Sequence, residues 1–151
     1  MSLVAAPEAI RRYFAAHWTY DVPLGQDGHP FTAIHRSVRL TILMGKRPQL
    51  TIGRVQNVVG QIGTLTGQVY TDGGKGASAS RVIGKWLIDL THNITLDATG
   101  AVVTTASQTA LVRFSPPEMG DNPHPYVSSD EDGVPFRQTN IVCPFIAYEL
   151  R

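Results

Sequence analysis

The sequence predicts an all-β protein: a small antiparallel β-barrel, calycin-like or allene-oxide-cyclase-like, with one N-terminal helix and a long proline-rich lid loop. Three observations carry this expectation. Apolar and polar residues alternate along 31–44 and 60–71, the period of a strand with one buried face, and strand pattern returns at 138–150. Gly63 and Gly67 share one face of the 60–71 stretch, where glycine is unfavourable unless the backbone bends sharply or is closely approached, as barrel coiling requires. Apolar segments flank Asp97-Ala-Thr-Gly100, in which Asp caps a tight reversal and Gly supplies a positive φ. About seven short strands punctuated by turns make a barrel or sandwich, and a closed barrel leaves a central cavity for a small ligand.

At 151 residues the chain reads as a single domain, long enough to bury about two-thirds of its unfolded surface. Within it, 1–30 form helix and linker, 31–114 the barrel strands, 115–136 the lid loop and 137–151 the closing strand. A net charge of +1, with both signs interspersed, points away from nucleic acid and from an anionic membrane. No apolar run approaches the ~18 residues of a membrane span, and no signal-peptide pattern is present. One cysteine, Cys143, excludes an internal disulfide and fits a reducing cytoplasm.

Taken in order, residues 6–18 are the one helical segment. Pro7 suits the first helical position, and Ile10, Tyr13, Phe14, His17 and Trp18 fall on one stripe. Residues 19–30, with Pro23, Gly25, Gly28 and Pro30, form a loop. From Phe31 to Met44, Ile34, Val38, Leu40 and Ile42 share a face, as a half-buried antiparallel strand requires. Gly45 to Pro48 is a turn, and Leu50 to Val59 is a weaker strand carrying Arg54. In 60–71, Gly63, Leu65, Gly67 and Val69 face one way and Thr64, Thr66, Gln68 and Tyr70 the other. The Gly73–Gly76 loop lacks the ending and the following helix of a phosphate-binding loop. Val82 to Leu90 is expected as the first arm of a long hairpin, running on through Ile94 and Leu96, with Ala101 to Phe114 as its return.

Ser115 to Pro135 holds five prolines and the acidic run Asp130-Glu131-Asp132, which makes regular structure unlikely there and a lid or binding loop the expectation. Gln138 to Leu150 is apolar on both faces: Ile141, Cys143, Phe145 and Ala147 on one, Val142, Ile146, Tyr148 and Leu150 on the other. Pro144 must lie at a bulge or an edge, since it has no N–H for a ladder.

The glycine and turn spacings resemble a family of small bacterial and fungal β-barrels, domain of unknown function number thirty-two thirty-seven. The residues concerned are Gly67-Gln-Val69 with Gly73-Gly74, Leu87-Ile-Asp89, Ile94-Thr-Leu-Asp97, Gly100-Ala-Val102, Arg113 and Ile146-Ala-Tyr-Glu-Leu150, within 38–151. The resemblance implies a barrel with an unassigned activity. The family's tryptophan after its paired glycines has no counterpart, since Lys75-Gly76 follows here, and the N-terminal helix is additional.

The five histidines show no paired ligand spacing, and no Gly-x-Ser-x-Gly elbow exists, so neither a metal site nor serine hydrolysis is indicated. Asp89 and His92 are the candidate acid/base pair, Asp89 gaining a raised pKa if it lies inside the barrel. The plainer alternative for Asp89 is a solvated ion pair with Lys85. Arg39, Arg54 and Arg113 are candidates to hold a carboxylate or enolate oxygen, with Tyr70 and Trp86 on the ligand wall. The leading expectation is a barrel that binds a small, mostly apolar molecule with a carbonyl or carboxylate handle. If it is an enzyme, the missing nucleotide, metal and nucleophile motifs point to a cofactor-free isomerase or cyclase. The alternatives are a non-catalytic ligand-binding module and a structural or assembly barrel. Two apolar faces on the last strand predict a homodimer. The cone-shaped α+β fold of polyketide cyclases fits the opening helix and is set aside because no second or third helix is expected.

Overall fold

The computed structural model of the chain describes residues 2–26, 36–45, 58–72, 78–104, 110–121 and 136–150. Its centre is a pair of long antiparallel strands, β3 (Val58–Asp72) and β7 (Phe136–Leu150), in register from Val58 opposite Leu150 to Asp72 opposite Phe136. β2 (Ser37–Met44) pairs antiparallel with the other edge of β3, and β1 (Leu24–Gly25) adds a short parallel pairing to β2. Two strands share the remaining edge of β7 end to end: β5 (Ala110–Phe114) and β6 (Glu118–Asp121). β4 (Thr95–Asp97) pairs with β5 and ends the sheet. The sheet is curled and mixed, an open half-barrel instead of the expected closed antiparallel one.

The largest correction concerns the expected hairpin arm. Residues Ser78–Thr91 form a helix, α2, not a strand. Its buried residues are Ser80, Ile83, Gly84, Leu87 and Thr91, spaced by three and four, so a helical period underlies the alternation of Trp86, Ile88 and Leu90. Asn93, at φ 55°, lies just beyond the end of α2 in the left-handed conformation that asparagine tolerates at helix termini. With α2 present, one part of the ground for setting aside the cone-shaped α+β fold is removed, while no third helix appears among the described residues.

The Asp97–Gly100 reversal is present, but its arms are short. Asp97 leads out of β4, Val102 makes a single bridge to Leu96, and β5 begins only at Ala110. The Asp97 carboxylate accepts hydrogen bonds from the Thr99 backbone and hydroxyl and from the Ala101 N–H, at 2.6–3.1 Å. These bonds, the Thr99 hydroxyl foremost, hold its pKa below the ordinary value. Gly100 has φ 83°, and a Cβ there would lie 2.8 Å from the Ala9 carbonyl oxygen, so the turn seats directly on the first helix.

That helix, α1 (Ser2–His17), starts earlier than expected, which places Pro7 inside it instead of at its first position. Ala6, Ala9, Ile10, Tyr13 and Phe14 are its buried stripe, while His17 is exposed and Trp18 half-buried. The Tyr13 hydroxyl donates to the Leu90 carbonyl and ties α1 to the end of α2.

Both helices contribute to the core on one face of the curled sheet. From β3 come Leu65 and Val69, from β7 Ile141, Cys143, Phe145 and Ala147, and from α2 Ile83 and Leu87. The glycines of β3 serve close approach: a Cβ at Gly67 would meet Leu87 Cδ1 at 2.7 Å, and one at Gly63 would meet Phe145 Cζ at 2.3 Å. Part of the expected lid is strand, since Glu118–Asp121 pairs with β7, while 122–135 lies outside the described residues. Pro144 falls where the β5 and β6 pairings of β7 are interrupted, opposite irregular residues 115–117, so its missing N–H leaves no ladder bond broken. Its carbonyl accepts from Ser115 N–H at 2.8 Å on that side. Of the strand expected over 50–59, Val58 and Val59 belong to β3 and 50–57 lies outside the described residues, as does the glycine loop at 73–76.

Candidate functional site

A barrel cavity was the expected site, and α2 occupies that space. Between the helices and the sheet, Phe14, Leu40, Leu65, Leu87, Ile141 and Cys143 enclose a void of only about 10 Å³. That is at the lower limit for one water molecule.

The sequence-predicted residues do not converge on that interior. Asp89 is exposed on α2 and pairs with Lys85 at 3.3 Å, the plainer of its two readings. His92 follows the end of α2, exposed, with its Nε2 3.2 Å from the Asn93 amide. Trp86 is half-buried on α2, where Tyr20 stacks on it at 4.2 Å with nearly parallel rings. Trp18 meets both rings edge-on and donates its indole N–H to the Val22 carbonyl, so this aromatic cluster straps the α1–β1 connection to α2.

Arg39 and Tyr70 do come together, on the face of β2 and β3 away from the helices. Burial raises the Tyr70 phenol pKa and the Arg39 charge partly opposes this. Arg113 lies on the same outer face, but on β5, separated from β3 by β7. Arg54 lies outside the described residues. Among the described residues no group of three or more His, Cys, Asp and Glu is placed to hold a metal ion. No helix among them is long and apolar enough to cross a membrane.

Among the described residues, two surface features include sequence-predicted positions. The first is a cleft of about 280 Å³ beside Arg113, lined also by Asn93, Thr95, Ser115, Pro116 and Ile146. Of these the sequence singled out only Arg113 as a binding residue; Asn93 and Ser115 join it because they follow the ends of α2 and β5. The second is the outer face of the two long strands. Ile62 is 44% exposed and Val142 38%, and Leu43 on adjoining β2 is 62% exposed. Ile62 pairs with half-buried Ile146, and exposed Pro144 pairs with Thr64. The sequence marked Val142 and Ile146 as a second apolar face, but the long β3–β7 register that sets Ile62 beside Ile146, and Thr66 beside Val142, is a tertiary fact.

Cys143 is the buried thiol of this core, its pKa pushed up to about 11 by burial, with a hydrogen bond involving Thr91 acting in the opposite sense. The native thiol is therefore neutral at ordinary pH and should resist an aromatic disulfide reagent until the protein unfolds. Because its folded pKa exceeds the ordinary 9.0, its contribution to stability is fully present below about pH 9 and lost as pH rises towards about 11. Tyr13, also raised by burial, acts in the same direction. The melting temperature should fall over that window, and Cys143→Ala should make the fall shallower. Equal steepness in both proteins would contradict the assignment.

No family model and no curated protein matches the chain. A solved structure known only by a serial identifier is similar to it, with a TM-score of 0.59 and 16% identity over 97% of this chain and 93% of that one. At that identity the likeness concerns the fold alone: a curled, half-barrel sheet with helices, shared over nearly the whole of both chains.

Proposed function

We propose that this protein is a structural, assembly-type module that works through the outer face of its sheet, and that the face docks against a second copy of the chain. The observation carrying this reading is the exposed apolar set Leu43, Ile62 and Val142 on the side of the sheet opposite the helices. Large apolar side chains gathered on one face are a mark of association. Residues 60–71 of β3 and 138–148 of β7 contain no Asp, Glu, Lys or Arg. The centre of the face therefore does not repel its own copy, and the charges Arg39, Arg113 and Glu118 lie on the flanking strands β2, β5 and β6. The core packing supports the same reading, because among the described residues α2 occupies the space where a ligand-binding barrel or a cofactor-free isomerase or cyclase would have its cavity.

Sedimentation tests this reading. The wild-type chain should be a dimer or larger at high micromolar concentration. Ile62→Lys combined with Val142→Lys should be monomeric there with an unchanged far-ultraviolet spectrum, both positions being exposed. A wild-type monomer throughout the micromolar range would overturn the proposal.

A further inference from the structure

We infer that the cleft beside Arg113 is a binding site for a carboxylate borne on a small apolar body. Arg113 stands opposite Thr95 on β4 and Ile146 on β7, on the outer face of the sheet. The cleft in front of it measures about 280 Å³, just below the usual range of small-molecule pockets of about 300–1,000 Å³. Among the described residues Arg113 forms no ion pair with an acid, and no residue lining the cleft is acidic. Among the described residues, then, no acid compensates its charge beside this cleft.

The lining adds a second kind of information. Asn93 and Ser115 are lining residues whose side chains can donate without charge, while Pro116 and Ile146 supply apolar wall. A guanidinium fork with flanking donors fits the two oxygens of a carboxylate. A phosphate dianion fits less well, for two reasons. There is one cation, and Asn93 lies just past the C-terminal end of α2, where the helix dipole disfavours added negative charge. The occupant is therefore a monoanion of modest size.

Such a carboxylate has two sources of the same chemistry: a free small acid, or an acidic side chain of a second copy. The register places Arg113 across from Ile146, which pairs in turn with Ile62, so the cleft borders the outer apolar face. The carboxylate site itself does not depend on self-association, and its test uses dilute protein.

Benzoate and its neutral isostere benzamide are the probes. Titrating dilute protein, followed by the backbone amide resonances of Asn93, Arg113 and Ser115, should give saturable shifts with benzoate and none with benzamide. Arg113→Gln should weaken benzoate by roughly tenfold or more, the loss of a charged hydrogen bond, and Arg113→Lys should retain part of the affinity. A second arm repeats sedimentation at high micromolar protein with saturating benzoate. Dissociation assigns the site to an acid of the second copy, and an unchanged mass assigns it to a free ligand; both support the site. Equal shifts with benzamide, no saturable shift, or indifference to Arg113→Gln would overturn it. Because binding is read on dilute protein, its failure is distinguishable from failure of the assembly reading.

Discussion

Truncating Phe145 to alanine should cost about 3–5 kcal/mol, the range for removing a fully buried aromatic side chain. Phe145 has no exposed surface, meets the Phe114 ring edge-on at 6.1 Å, and lies on β7 directly across from Gly63 on β3. The geometry also predicts how the loss couples to its neighbour. A Cβ at Gly63 would lie 2.3 Å from Phe145 Cζ and 2.9 Å from the Leu43 carbonyl oxygen. Gly63→Ala alone should therefore destabilise by about 1–3 kcal/mol through overpacking. In the Phe145→Ala background the new methyl enters space that the ring has left, and the part of the cost due to the ring should vanish while the contact with the Leu43 carbonyl remains. Denaturant titration of the four proteins would show a coupling of about 1 kcal/mol or more. Strictly additive losses would mean that Gly63 is retained for some reason other than the ring.

This pair illustrates what the sequence carried and what it did not. Alternation along 60–71 placed Gly63, Leu65, Gly67 and Val69 together on one face, which is the buried one, because a strand covered on one side leaves a period of two. The same glycines were ambiguous between bending and close approach. Only the arrival of Phe145 and Leu87, both distant in sequence, resolves them as close approach. The turn at Asp97–Gly100 was legible for a local reason, since its capping bonds and positive φ are made within a few residues.

Residues 82–90 were misread because two periods coexist there. Val82, Trp86, Ile88 and Leu90 share a strand parity, while Ile83, Leu87 and Thr91 recur at helical spacing. The packing against β3 and β7 selects the helix, and no residue within the segment decides between them. That single reassignment also moved the expected site. Once α2 fills the concavity, Asp89 and Trp86 cease to line an interior, and Arg113 is left on the outer face beside a cleft that local sequence does not show.

The second large effect concerns the outer face, through a cysteine placed on it. Cys143 is buried and its thiol held neutral, so it gives little background labelling. Val142→Cys would present a reactive thiol on the outer face, and Val82→Cys, 49% exposed in the parent on α2, would present one away from it. If two copies cover that face, maleimide labelling at Val142→Cys should slow markedly between low and high micromolar protein, in proportion to the dimer fraction. Labelling at Val82→Cys should be indifferent to concentration. Rates at Val142→Cys that match those at Val82→Cys and do not change with protein concentration would contradict the account.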